Sequence, residues 1–124
     1  MTLSLWCVLV AAVLPIFCTG IAKWGFKGFD NNNPRDWLSR QQGWRARANA
    51  AQGNSWEAFA IFSAGVFTAH IAHAPQMSVD AISIAFVVTR LLFIFFYVTD
   101  RAALRSWVWL VGFGLSVALF VISA

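Results

Sequence analysis

Residues 45–59 read RARANAAQGNSWEAF, and the way this stretch folds settles what the rest of the chain can be. As a helix it places Arg47, Asn54 and Glu57 at i, i+7 and i+10, within an arc of roughly 80° at 3.6 residues per turn. The adjacent face carries Ala48, Ala51, Ser55 and Ala58, small enough for another helix to approach closely. Arg45, Asn49 and Gln52 make the other side polar near the start, so few faces of these turns suit lipid. Past Glu57 the pattern turns apolar, AFAIFSAGVFTAHIA over residues 58–72. The carboxylate therefore lies on the order of 15 Å beyond Arg47 at 1.5 Å per residue.

The surrounding composition places this helix in a membrane. The 124 residues are 60% hydrophobic and only 11% charged, with mean hydropathy +0.68, whereas soluble domains carry about a quarter charged residues. The apolar runs are Leu3–Ala22, Ala58–Ala72, Ala81–Val98 and Trp107–Ala124. Runs of roughly 17–25 residues cross the hydrocarbon core, and the second reaches that length once its polar first turns are added. These runs predict an all-α integral membrane protein, a four-helix bundle in one domain over residues 1–124. Its helices are expected over about 3–22, 47–70, 79–98 and 106–122, with a loop over 23–46. The first run lacks the basic n-region of a secretory signal and is read as a retained span, and Pro15 within it permits a kink. At the depth of Glu57 a carboxylate costs at least ~2.5 kcal/mol, which marks it as functional until a partner is found.

Charge orients the chain. Lys23, Lys27, Arg35, Arg40, Arg45 and Arg47 lie in or beside the first connection and Arg101 and Arg105 in the third, while the second has no Lys or Arg. The positive-inside rule then puts connections one and three in the cytoplasm and both termini outside. The net charge of +4 is thus a topology signal. It flanks hydrophobic spans instead of forming a basic stripe, so no nucleic-acid partner is expected. In the first connection Trp24, Phe26, Phe29, Trp37 and Trp44 alternate with Lys, Arg and Asn, the composition of a segment at the headgroup boundary. NNNPRDWLSR, residues 31–40, predicts a turn into a short interfacial helix, with Gly43 separating it from the next helix. Cys7 and Cys18 lie about 16 Å apart along one helix, too far to bridge, and read as small packing residues. His70 and His73 make an HxxH pair with no third ligand nearby and read as interfacial histidines. Gly112 and Gly114 indicate close helix packing.

The remaining polar residues converge on one chemistry. Arg90 and Tyr97 are seven apart on one face of the third helix, with Phe93 between them. Arg90 falls near mid-depth, a natural partner for Glu57. Taken singly, Lys23 reads as an interfacial lysine, Arg105 as a positive-inside anchor, and Arg90 with Glu57 as a structural buried pair. Together, Lys23, Arg47, Arg90 and Arg105 supply cations, Glu57 an anion, and Asn54, Tyr97 and Ser106 hydrogen-bonding groups. Guanidinium groups grip carboxylates in a bidentate way, and one carboxylate among several cations suits a ligand that also carries an ammonium. A small zwitterionic peptide fits, with an apolar second substrate arriving from membrane lipid. One protomer holds too little protein to shield the Arg47 to Glu57 stripe from hydrocarbon, so an oligomer is expected.

NPRDWL in the first connection, RARANAAQGNSWEAF, RLLFIFFY and LRSWVW, set on four spans, resemble the MAPEG family, the membrane-associated proteins of eicosanoid and glutathione metabolism, and in particular its bacterial branch. The resemblance covers nearly the whole chain. It implies a homotrimer in the bacterial inner membrane, with glutathione bound between neighbouring subunits near the cytoplasmic side. Carried over, it implies glutathione contacts from Asn54, Glu57, Arg90, Tyr97, Arg105 and Ser106, with Lys23 closing helix one and Arg47 standing in for arginines found nearer the asparagine. Arg105 and Ser106 are the implied catalytic pair. A cation and a hydroxyl donor favour thiolate over thiol and lower a pKa of about 8.5. Phe93 replaces the helix-three histidine of prostaglandin-synthase-like members, Trp109 a tyrosine, and Ala50 and Gly53 two arginines, which points away from eicosanoid synthesis. The implied function is a glutathione-dependent transferase or peroxidase acting on lipophilic electrophiles. The alternative, since the family includes a non-enzymatic lipid-binding member, is a non-catalytic membrane protein that binds a lipophile or protein partner. A small transporter subunit is a third reading.

Overall fold

A computed structural model describes all 124 residues, and its only regular elements are five helices: α1 (Leu3–Lys23), α2 (Pro34–Ser39), α3 (Gly43–Ile71), α4 (Gln76–Val98) and α5 (Ala102–Val121). The short helix expected in NNNPRDWLSR is α2, with Pro34 at its start, where a missing N–H costs nothing. Two boundaries differ from expectation. Gly43, at φ +62°, is the first residue of α3 and not a spacer before it, so the helix starts four residues early. Helix α5 likewise begins at Ala102, which sets Arg105 and Ser106 one turn inside the helix.

The stops of α3 and α4 share one device. His73 and Asp100 both adopt positive φ, 55° and 60°, each following a helix C-cap. Ala74 N–H donates back to Ala69 O at 2.9 Å, and Arg101 N–H to Phe96 O at 2.8 Å. These are the six-to-one bonds of the Schellman motif, which satisfies carbonyls that the helix end would otherwise orphan. His73 is thus a turn residue. Its HxxH partner His70 is engaged elsewhere, with its Nε2 3.0 Å from Ser4 Oγ.

Helices α1, α4 and α5 are long and apolar enough to cross a membrane by length and composition. Helix α3, expected as a fourth span, is not among them. Its 29 residues extend about 43 Å at 1.5 Å per residue, but its first turns carry Arg45, Arg47, Asn49, Gln52, Asn54 and Glu57. It packs among the apolar three, touching α1, α4 and α5, while α4 also lies along α5 and α1 along α4. The small-residue face of α3 makes these contacts, with Ala48, Ala51 and Ser55 all buried. Ala51 packs with Leu14, Cys18, Phe93 and Ile94. Ala48 packs with Ala22 and with Trp37 and Leu38 of α2, tying the interfacial helix to the bundle. Further along, Phe62 of α3 and Phe86 of α4 stack with centroids 4.0 Å apart. A Cβ at Gly65 would meet Leu119 Cβ at 3.1 Å, and one at Gly112 would meet Thr89 Oγ1 at 2.9 Å. Gly114 has open space around it, so only the first of the two α5 glycines permits a close approach within the chain. Both cysteines are free and buried.

Each end of the helices is laced by polar groups. At the basic end Arg45 donates to Ala22 O at 2.8 Å and Trp24 O at 2.7 Å, closing α1. Arg47 donates through Nε and Nη2 to Val98 O at 3.2 and 3.1 Å, closing α4. At the opposite end Asp80 Oδ1 accepts from Ser4 N–H and Gln76 Nε2, both at 2.8 Å. That cluster ties the first turns of α1 and α4 together.

Candidate functional site

Arg90 is the deepest charge in the chain, 3% exposed on α4. Its Nη2 donates to Asn54 Oδ1 at 3.0 Å and to Ser55 Oγ at 3.1 Å. The guanidinium also lies 4.0 Å from the centroid of the Phe93 ring, one turn on. The expected Arg90–Glu57 pair does not form within the chain, where the single ion pair is Arg40–Asp36 at 2.9 Å. Two consecutive residues of α3, one amide and one hydroxyl, satisfy the guanidinium instead. Nε and Nη1 remain as further donors.

Two clefts open beside this arginine, between α3, α4 and α5. The polar one, about 250 Å³, is lined by Asn54, Phe93, Tyr97, Arg105, Ser106 and Trp109. The Arg105 guanidinium lies 4.5 Å from the Tyr97 ring centroid, an attraction that holds a cation over a phenol without consuming its N–H donors. No carboxylate neutralises it. The second cleft, about 100 Å³, includes Asn54, Glu57, Arg90 and Trp109, and continues over Ile61 and Phe86. Glu57 is exposed on its rim. Asn54 and Trp109 line both clefts, so the two meet there.

Six of the eight residues singled out from the sequence therefore gather in adjoining clefts: Asn54, Glu57, Arg90, Tyr97, Arg105 and Ser106. The other two lie apart. Arg47 turns to the end of α4, away from the stripe it shares with Asn54 and Glu57. Lys23 lies with its ammonium 4.0 Å from the Phe29 ring centroid in the first connection. Two residues of the arrangement were not singled out. Ser55, read as part of the small packing face, is the second acceptor for Arg90, and no spacing rule distinguishes a packing serine from a bonding one. Trp109 stands out in the sequence only as a departure from the family's tyrosine, although its position four residues after Arg105 places it on the same face.

A cation, a hydroxyl, a phenol and an amide around one cleft can hold an anion and stabilise negative charge on sulfur or oxygen. Comparison with known proteins narrows the context. No curated protein and no solved structure matches the chain. A family model does, that described as the MAPEG family, over residues 3–124. With its apolar spanning helices and a match that runs essentially from end to end, this membrane protein belongs to the MAPEG family.

Proposed function

We propose that the chain is a glutathione-dependent transferase or peroxidase acting on lipophilic electrophiles, assembled as a homotrimer in the bacterial inner membrane. The observation that carries this reading is the convergence of Asn54, Tyr97, Arg105 and Ser106 on one polar cleft, with an unneutralised guanidinium in its lining. Glutathione brings two carboxylates, an ammonium and a thiol. Arg90, through its unused donors, and Arg105 suit the anionic groups, and Glu57 on the rim suits the ammonium. Lys23 and Arg47, engaged elsewhere, add positive potential at this end without direct contact.

The thiol supplies the nucleophile, and the residues around it set its protonation. The Arg105 cation favours loss of the thiol proton to water, and the Ser106 Oγ–H donates to the resulting anion. The sulfur then forms its bond to an electrophilic carbon as the leaving group departs with the electron pair. The apolar walls at Trp109, Ile61 and Phe86 suit an electrophile delivered from lipid. Helix α3 serves as the fourth span, its polar turns covered by a neighbouring subunit, because unsatisfied polar groups in hydrocarbon cost several kcal/mol each. The excess of Lys and Arg in connections one and three supports a cytoplasmic site with both termini outside.

Calorimetric titration with glutathione and turnover of chlorodinitrobenzene or a hydroperoxide test the chemistry. Arg105→Ala and Ser106→Ala should each abolish most turnover with little change in thermal stability, since both side chains lie at the cleft mouth. Glutathione binding should weaken more with Arg105→Ala, a charge-assisted contact being worth about twice a neutral one. Native mass spectrometry in mild detergent should give a trimer, and a folded monomer would refute the assembly. One observation favours the non-catalytic alternative: Asn54 Oδ1 is already taken by Arg90 Nη2, as it would be in a protein that only binds a lipophile beside them. Absence of both glutathione binding and turnover would refute the enzymatic reading.

A further inference from the structure

A second candidate site lies on the opposite flank, along α1, bordered by α4 and, at the basic end, by Trp44 of α3. Three apolar hollows run together there, of about 390, 360 and 460 Å³, and all three include Phe17. Leu91 joins the first two and Ile21 the last two. From Leu9 to Trp24 the groove follows α1 for about 22 Å at 1.5 Å per residue. One leaflet of hydrocarbon is roughly 15 Å deep, so the groove can hold an acyl chain over a whole leaflet. Gly20 widens it, for a Cβ there would meet nothing within 4 Å. The groove ends between the indoles of Trp24 and Trp44.

Charge at that end identifies the occupant. The Arg45 guanidinium is fixed by the carbonyls of Ala22 and Trp24 and lies 4.3 Å from the Trp44 ring centroid and 5.0 Å from that of Phe26, so it is held beside the Trp44 indole at the end of the groove. Lys23 and Lys27 lie on the same connection, and Lys27 is exposed and adjoins Phe26, the ring beside the Arg45 guanidinium. None of the three is paired with a carboxylate. Asp36 is taken by Arg40, and Asp30 accepts from Asn32 N–H at 2.9 Å. Neutral carbonyls and rings position Arg45 without cancelling its charge, leaving an uncompensated cationic cluster at the mouth of an apolar groove.

We propose that this groove binds an anionic phospholipid, with an acyl chain along Phe17 and Leu91 and the headgroup phosphate at Arg45 and Lys27. Basic clusters bordering spanning helices attract anionic headgroups, and each Lys or Arg contributes roughly five-fold in affinity. The test is native mass spectrometry of the purified protein in mild detergent, with equal amounts of phosphatidylglycerol and phosphatidylcholine of the same acyl chains. The parent should retain phosphatidylglycerol preferentially. Lys27→Gln should cut that retention roughly five-fold and leave phosphatidylcholine unchanged. Gly20→Phe, which fills the hollow, should remove the retained lipid while helicity and oligomeric mass stay those of the parent. Equal retention of both lipids would mean an ordinary annulus and overturn the proposal. So would full retention by Gly20→Phe, or a change in its oligomeric mass, which would show that a second copy of the chain covers the groove.

Discussion

Replacing Asn54 by alanine removes the side chain that accepts from Arg90 Nη2 at 3.0 Å, leaving Ser55 Oγ as the remaining partner of that nitrogen. Because Arg90 is only 3% exposed, water cannot freely replace the lost acceptor. A hydrogen bond to a charged group is worth about 1.5–3 kcal/mol. For a chain of this size such a loss lowers the melting midpoint by on the order of 5–10 °C. Glu57→Gln should behave differently. Within the chain the carboxylate is exposed and has no hydrogen-bond or ion-pair partner, so its neutralisation takes nothing from Arg90 and should cost much less than loss of Asn54. Both variants are to be melted in the same detergent by intrinsic tryptophan fluorescence, with Ser55→Ala as a third. The expected order is Asn54→Ala and Ser55→Ala well below the parent, with Glu57→Gln close to it. A loss for Glu57→Gln as large as that for Asn54→Ala would mean that Glu57 neutralises Arg90 in the folded protein, and would refute the argument.

Arg47→Met removes both donors to Val98 O, a carbonyl at the end of α4, and should cost about 1 kcal/mol. Glutathione affinity should fall far less for this variant than for Arg105→Ala, since Arg47 contributes potential without contact. Gly65→Ala drives a Cβ to 3.2 Å from the Ser116 carbonyl oxygen and should lower the melting midpoint. Gly114→Ala, where the space is open, should raise stability by about 0.5–1 kcal/mol through helix propensity, and a loss there would locate a subunit contact. Alkaline phosphatase fused after Ala124 should be active, whereas a bright cytoplasm-dependent fluorescent reporter at that position would reverse the assigned orientation.

The helical class and the membrane setting were legible in the linear pattern, because apolar run length and charge scarcity are properties of consecutive residues. So was the packing face of α3: Ala48, Ala51 and Ser55 recur at helical spacing, and size alone decides whether a neighbour can approach. The helix starts at Gly43 and Ala102 are not legible there, because they depend on backbone turns, positive φ at Gly43 and at Asp100, that hydrophobic periodicity does not register. The candidate site divides the same way. Helical spacing put Asn54 and Glu57 on one face of α3 and Arg90 and Tyr97 on one face of α4, while the grouping of these four with Arg105 and Ser106 rested on the family resemblance. Tertiary structure alone decided which of them touch. A charge in a low-dielectric interior takes the acceptors that packing places within reach, so Arg90 bonds to Asn54 and Ser55, and the opposite charge on Glu57 remains at the surface. The end of α4 lies beside Arg47, and an orphaned carbonyl there draws the guanidinium away from the stripe that helical spacing assigned to it.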